Sequence, residues 1–345
     1  METPRVSVVI TTKDYARFLP QAIESVLRQS LASSHRELIV VDDGSVDDTA
    51  AVMKRFEGGV LYLYQENCGQ AAALNSGLKV ARGEFVALLD ADDYFYENKL
   101  EEVLRKFETH GHLGMVHHRL DVVNNEGSVT HTGPFRARLD EGWLGEQLIR
   151  YGGTWNAFVS AATSALTFRR SALEEILPIP EADFRTMADG YLVTQMALRR
   201  PIGAVHKSLG AYRVHGKNNW TAAALTPELI RLRYLRPLER VSELVQARVP
   251  ESAAQIHVRQ DRTYIEYRCL AEKMEGRFAG ALKSFGLLVR ALRRDSRIGW
   301  SHKLWRLLSM LMMLALPVSS YTRLRQWYTR NSLAYRLRTK LFATK

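Results

Sequence analysis

The sequence predicts an α/β fold: a mostly parallel sheet between helices, followed by a C-terminal helical appendage. Three observations predict it. Short β-rich runs alternate with helical spacings from Arg5 to Leu89, two of the first three expected strands end in paired acids, and the chain beyond Pro227 is apolar every three or four residues.

Arg5 to Thr11 reads as the first strand, and Phe18 to Gln29 as a helix with Leu19, Ala22, Ile23, Val26 and Leu27 on one face. Glu37 to Val41 is the second strand and runs into Asp42-Asp43-Gly44-Ser45. Phe85 to Leu89 is the third and runs into Asp90-Ala91-Asp92-Asp93. Ligands of parallel α/β sheets bind at the carboxyl ends of the strands, where both acidic clusters fall. Desolvating one unpaired carboxylate costs several kcal/mol, so the cluster after Leu89 calls for a cation, and a hard divalent metal bridging a diphosphate suits it. The alternative is a solvated turn in which Asp93 caps a helix from Tyr94 to Phe107.

The ordered set VSVVITTKD (from Val6), AIESVLRQS (from Ala22), ELIVVDDGSVDDT (from Glu37), GQAAALNSGLKVARG (from Gly69) and LDADD (from Leu89) resembles a family 2 glycosyltransferase of the GT-A fold. The resemblance covers about the first 220 residues. It implies inverting transfer of a sugar from a nucleotide-diphosphate donor, with a UDP-sugar the leading choice, to a hydroxyl acceptor, using Mn or Mg. It also implies roles: Thr11 and Asp14 lie near the nucleotide, Asp43 holds the base, Asp90 the ribose and Asp92 the metal, with Asp93 a second contact. Such enzymes often carry Ala-Arg-Asn in the Gly69 segment, whereas this chain has Ala73-Leu74-Asn75. Lys13 or Arg213 is then the expected phosphate ligand.

In the middle of the chain, Met115 to Asn124 and Gly127 to Thr132 read as a hairpin, and Trp143 to Tyr151 as a helix. Thr154 to Arg169 reads as a loop and strand near an acceptor. An inverting displacement needs a carboxylate to take the acceptor proton. In the resembled family this acid opens the helix after the central loop, often in a Glu-Asp pair; here Ala188-Asp189 stands in its place, making Asp189 the expected base or else a helix cap. Arg213 and His215, two apart on a strand end, project to one side, Arg213 toward the diphosphate and His215 toward the metal. Lys217 is a further phosphate candidate.

The net charge of +11 is unevenly placed. From Lys283 onward fourteen basic residues face Asp295 alone, so this stretch holds +13 and everything before it −2. Leu307 to Val318 is apolar but shorter than the ~20 residues that span a bilayer. Trp300, Trp305, Trp327 and Tyr328 flank it, which suits an interfacial segment on an anionic membrane surface; a helix packed on the catalytic domain is the alternative. No RNA-binding, zinc-ligand or recognition-helix motif accompanies the charge, so nucleic acid is not an expected partner.

The expected organisation is therefore a GT-A catalytic domain at 1–222, its nucleotide half at 1–110 and acceptor half at 111–222. A helical appendage follows at 223–298, with breaks at Pro250 and at Gly276 and Gly280, and then a basic amphipathic tail at 299–345. The appendage serves packing, oligomerisation or presentation of the tail. Two distant cysteines, Cys68 and Cys269, and no basic-then-apolar leader place the chain in the cytoplasm, peripheral on the inner face of the membrane. The acceptor is then a lipid-linked molecule or a growing cell-envelope glycan. A degenerate nucleotide-sugar scaffold or a sugar nucleotidyltransferase are the competing readings; Thr11-Thr12-Lys13-Asp14 lacks the glycine-rich loop of the latter.

Overall fold

The structure is a computed structural model that describes residues 3–134, 138–215, 226–317 and 320–321. Its contacts divide the chain into two compact units, one of Met1–Leu148 and Phe158–Thr221, the other of Ile149–Ala157 and Ala222–Lys345.

The first unit is built on a mixed nine-stranded sheet. Strand β1 (Val6–Thr12) is followed by helix α1 (Leu19–Leu27), β2 (Arg36–Asp43), α2 (Thr49–Lys54), β3 (Leu61–Gln65), α3 (Gln70–Val80) and β4 (Phe85–Asp90). Strands β3, β2, β1 and β4 lie side by side and parallel. Their β-branched runs are near-continuous because both faces of a parallel sheet are covered: Val6, Val8, Val9, Ile10, Ile39, Val40, Val41, Leu88 and Leu89 are all buried. Helix α1 buries Leu19, Ala22, Ile23 and Val26 as its spacing dictates, but Leu27 points outward. Helix α3 comes unusually close to the sheet: a Cβ on Gly77 would stand 2.5 Å from Val9 Cγ1, so the small residues of this segment set the distance.

The chain continues through β5 (Tyr94–Phe95), α4 (Lys99–Thr109), the β6 (Met115–Val123) and β7 (Val129–Pro134) hairpin, α5 (Gly145–Arg150), β8 (Leu166–Arg169), α6 (Arg170–Glu174), α7 (Ala188–Ala197) and β9 (Ile202–Arg213). The full order is β3-β2-β1-β4-β8-β6-β9-β5, with β7 paired to β6. Two expectations change here. The helix expected from Tyr94 begins only at Lys99, because Tyr94 and Phe95 pair with Ala211 and Gly210 of β9; Asp93 is therefore not a helix cap. Strand β3 was not expected at all.

The second unit is helical. It holds α8 (Pro227–Ile230), a π-helical turn (Arg231–Leu235), α9 (Arg236–Arg248), α10 (Arg262–Met274), α11 (Phe278–Arg294) and α12 (Trp300–Ala315). Pro237 follows the π turn and has no N–H to offer it, which accounts for the altered hydrogen bonding there. Pro250 opens a 3-10 turn and Gly276 breaks the chain, but Gly280 lies inside α11, where a Cβ would meet the Glu272 carboxylate at 3.1 Å. Residues 149–157 join this unit through Thr154 and Asn156, both bonded to the Asp261 carboxylate.

Candidate functional site

The parallel strands deliver their C-terminal residues to one edge in register: Thr11 lies opposite Val41 and Asp90, Thr12 opposite Asp42, and Asp43 opposite Gln65. The loops beyond them are tied together by the acids. Asp14, in left-handed conformation at φ 60°, accepts from Val46 N at 2.8 Å and donates its own N–H to Ser45 Oγ at 2.9 Å. The Val46 bond first, and then the Lys13 ammonium at 2.9 Å, hold its carboxyl below the usual range. Asp43 accepts from Gln65 Nε2 at 2.8 Å, Cys68 N at 2.9 Å and Gly69 N at 2.8 Å, so it shapes the loop into α3. That loop is clamped from the far side by Arg185, which donates to Asn67 O and Oδ1 at 3.1 and 2.9 Å and accepts from Gln70 N at 2.9 Å.

The acids after β4 divide sharply. Asp93 is fully buried and turned inward: its Oδ2 accepts from Ser164 Oγ at 2.6 Å and its Oδ1 from Arg213 N at 2.8 Å. Burial, then repulsion from Asp92 and Asp90, pushes its carboxyl well above the carboxylate range. Asp93 therefore has both of its carboxylate oxygens engaged and anchors β4 to β9. Asp90 and Asp92 remain partly accessible. Burial first, and then Asp92 and Asp189, push the Asp90 carboxyl up to about 8.

Asp189 arrives from the other half of the sheet. It is the second residue of α7, whose cap position is Met187 at φ 69°, so it is not the cap either. Its place is set by α3: Asn75 clamps the Pro178 turn through paired 2.9 Å bonds to Ile179 N and O, and Gln70 Oε1 accepts from Ala188 N at 3.2 Å. Burial raises its carboxyl above the usual range. Thr163 lies beside both Asp90 and Asp189 and favours the ionised form of each, and the Asp189 charge in turn raises the Asp90 carboxyl.

Arg213 does not occupy the place expected of a phosphate ligand. It is 2% exposed, and its Nε donates to Asp92 O at 2.8 Å, one terminal nitrogen to Asn124 O and Asn125 O at 3.3 and 3.0 Å, and the other to Gln21 Oε1 at 2.5 Å. Its guanidinium is committed to fixing the acidic turn between the Phe18 and Tyr94 rings, at 4.9 and 5.6 Å. His215 does reach the cluster: its Nε2 is 2.9 Å from Asp92 Oδ2, with its ring against Tyr15 and Phe18. Lys217 lies outside the described residues, as do Trp327 and Tyr328.

Among the described residues no group of three His, Cys, Asp or Glu side chains is disposed to hold a metal. The donor set nevertheless fits a cation. Asp90, Asp92 and Asp189 gather with Asp93, and after burial, the first cause, repulsion among the acids adds to the raised Asp90 and Asp93 carboxyls. Mg²⁺-type sites commonly use one or two protein ligands and complete the shell with substrate phosphate and water, which the Asp92 and His215 pair satisfies. His215 Nε2 must then present a lone pair in place of its hydrogen bond.

The sequence singled out neither Thr163 nor Tyr15 nor Tyr212. Burial is the first cause raising the phenols of Tyr15 and Tyr212, and the charges of Asp90, Asp92 and Asp93 add to it. Tyr15 sits three residues before a helical spacing and carried no signal, whereas Tyr212 lies beside Arg213, and Thr163 lies in the segment read as a loop and strand near an acceptor.

A family model described as glycosyl transferase family 2 matches residues 7–177. A protein named as an uncharacterized glycosyltransferase from Nostoc sp. is 35% identical over 225 residues, covering 64% of this chain and 68% of that protein. Another, from Rickettsia felis, is 30% identical over 220 residues, covering 62% of this chain but only 34% of its own length. Among solved structures, S. aureus TarS 1–349 in complex with UDP-GlcNAc aligns with a TM-score of 0.57 at 18% identity, over 94% of this chain and 92% of that one. The likeness to TarS is one of fold, and it identifies the arrangement of strands and helices as GT-A.

Proposed function

The chain belongs to glycosyltransferase family 2, and from that premise we propose that it moves a sugar, with inversion, from a UDP-sugar to a hydroxyl of a lipid-linked or growing cell-envelope glycan at the inner face of a membrane. The observation that carries this reading is the meeting of Asp90, from the end of β4, with Asp189, from the start of α7, around Thr163. In this reading one acid serves the nucleotide side and one the acceptor side, and the donor lies between them.

Thr11, Asp14 and Asp43 frame the nucleotide, with Asp43 shaping the base pocket through Cys68 and Gly69. Asp90 takes the ribose hydroxyls. Asp92 and His215 would hold Mn²⁺ or Mg²⁺, which, when bound, neutralises charge building on the departing diphosphate. Arg213 acts through Asp92 and Asp93 by fixing the turn that bears them. With Leu74 where the family often has Arg and Arg213 committed elsewhere, Lys13 and Arg185 are the cations assigned to the phosphates; both are solvent-accessible beside the nucleotide loops. Asp189 accepts the acceptor's proton as its oxygen attacks the anomeric carbon and the carbon–phosphate oxygen bond breaks. A raised carboxyl pKa makes it a stronger base than a surface aspartate once ionised, and Thr163 keeps it oriented.

Asp189→Asn keeps the shape and removes the base. Donor hydrolysis and transfer, measured over a panel of UDP, dTDP and GDP sugars, should fall by roughly 10²–10⁴-fold while nucleotide affinity by calorimetry stays within a few-fold. Retained turnover with the preferred donor would refute the assignment.

A further inference from the structure

The outer face of α12 plays no part in the chemistry above. Trp300 is 84% exposed, Leu304 57%, Leu308 46% and Leu311 47%. At 100° per residue these four fall within about 80° of one another, forming a single apolar stripe. The opposite side is occupied: Met310 and Met313 are buried in the second unit's core, and Arg306 pairs with Glu266. No acid lies on α12. The preceding helix, α11, exposes Lys283, Arg290, Arg293 and Arg294, and the nearest acid, Asp295, is buried against Arg262 and Arg297.

We propose that this stripe is a docking face for an anionic lipid surface. Helix α12 lies in the plane of the interface, Trp300, Leu304, Leu308 and Leu311 enter the acyl boundary, and the exposed Lys283, Arg290, Arg293 and Arg294 of α11 meet the headgroups. Among the described residues no helix is long and apolar enough to cross a membrane. Charge selects the occupant. A second copy of the chain would press two strongly basic stretches together, and a nucleic acid would match the charge but leave the apolar stripe in water. The inference deepens the proposed function by naming the surface that brings a lipid-linked acceptor near, but lipid binding and sugar transfer are separately measurable.

The test is flotation of the full chain with phosphatidylcholine vesicles, with and without phosphatidylglycerol, comparing wild type with the Leu304→Gln, Leu308→Gln double variant. Both positions are exposed, and circular dichroism checks that the fold is kept. Wild type should float with the anionic vesicles, less at high salt and less with neutral ones, and the double variant should partition about ten-fold less or weaker. Wild type remaining unbound, or the double variant floating equally well, overturns the proposal. So does a change of oligomeric state by sedimentation in the double variant with flotation unaltered, which would make the stripe a contact between copies. Donor turnover without flotation sinks the docking face alone; flotation without turnover supports it and sinks only the transferase reading.

Discussion

Lys99 and His118 are buried in the first unit, and neither belongs to the candidate site. The Lys99 amine lies 3.1 Å from Thr167 Oγ1 and 4.0 Å from the centre of the Phe95 ring, and burial drives its pKa well below that of a free lysine. His118 donates through Nδ1 to Arg119 O at 2.8 Å, while Nε2 has no hydrogen-bond partner; burial, then the charge of Lys99, pushes it down to about 3. Burial favours the neutral form of both groups, so each contributes stability that is present above its unfolded pKa and lost as pH falls through the window down to the folded one. For His118 that window runs from 6.5 to about 3. His118→Asn should flatten the loss of melting temperature over that range, and an unchanged acid slope would refute it. Lys99→Met keeps the apolar stem and removes the titrating amine, so its melting temperature at pH 7 should exceed wild type; a lower value at every pH would show the amine to be needed. At this scale the sequence exposed the acids but not their neighbours. Asp90, Asp92 and Asp189 were legible from strand and helix ends. The inward turn of Asp93 and the committed guanidinium of Arg213 depend on Ser164, Gln21 and Asn125, residues brought together only by folding.

Between elements, the loop into α3 is the joint that couples base pocket and catalytic helix. Gly69 adopts φ 96°, and a Cβ there would stand 2.4 Å from Arg185 Cγ and 2.8 Å from Arg185 O. Gly69→Ala therefore combines left-handed strain with a backbone clash, and should cost about 1–3 kcal/mol. Thermal denaturation should show the loss, and nucleotide titration a weaker affinity, since Gly69 N is one of the three donors to Asp43. Gly58→Ala is the control: φ is 85° but nothing lies within 4 Å of the added methyl. Equal melting temperatures for the two variants would remove the clash from the account. Elements with a continuous apolar run or a clean helical spacing, such as β1, β2, β4 and α1, were readable because their own residues decide them. Strand β3 was not: it has five residues at the sheet edge, with Leu61 and Tyr64 exposed, and little periodicity to read. Tyr94 and Phe95 read as helix because the spacing of α4 extends back to them, and only β9, far along the chain, draws them into the sheet.

Over the whole molecule, the two units have separate hydrophobic cores, one around Val8, Ile23, Val40 and Leu89, the other around Leu238, Ile265, Leu288 and Met310. The helical pattern beyond Pro227 foretold a second body, but nothing in the sequence marked 149–157 as part of it. Those residues join through a buried Thr154 to Asp261 bond and the Tyr151 ring, 3.6 Å from the Arg297 guanidinium carbon. Two cores call for two unfolding transitions in calorimetry. The clustered Asp90, Asp92 and Asp189 lie wholly in the first unit, so a cation that relieves their repulsion stabilises that unit alone. At a Mn²⁺ concentration one hundred times its dissociation constant the gain is about 2.7 kcal/mol. One transition should rise with Mn²⁺, return to its starting point with EDTA, and fail to move in Asp92→Asn, while the other stays in place throughout. A shift that persists in Asp92→Asn would place the cation elsewhere, and no shift in either transition would show that Asp92 and His215 hold no metal without a bound diphosphate.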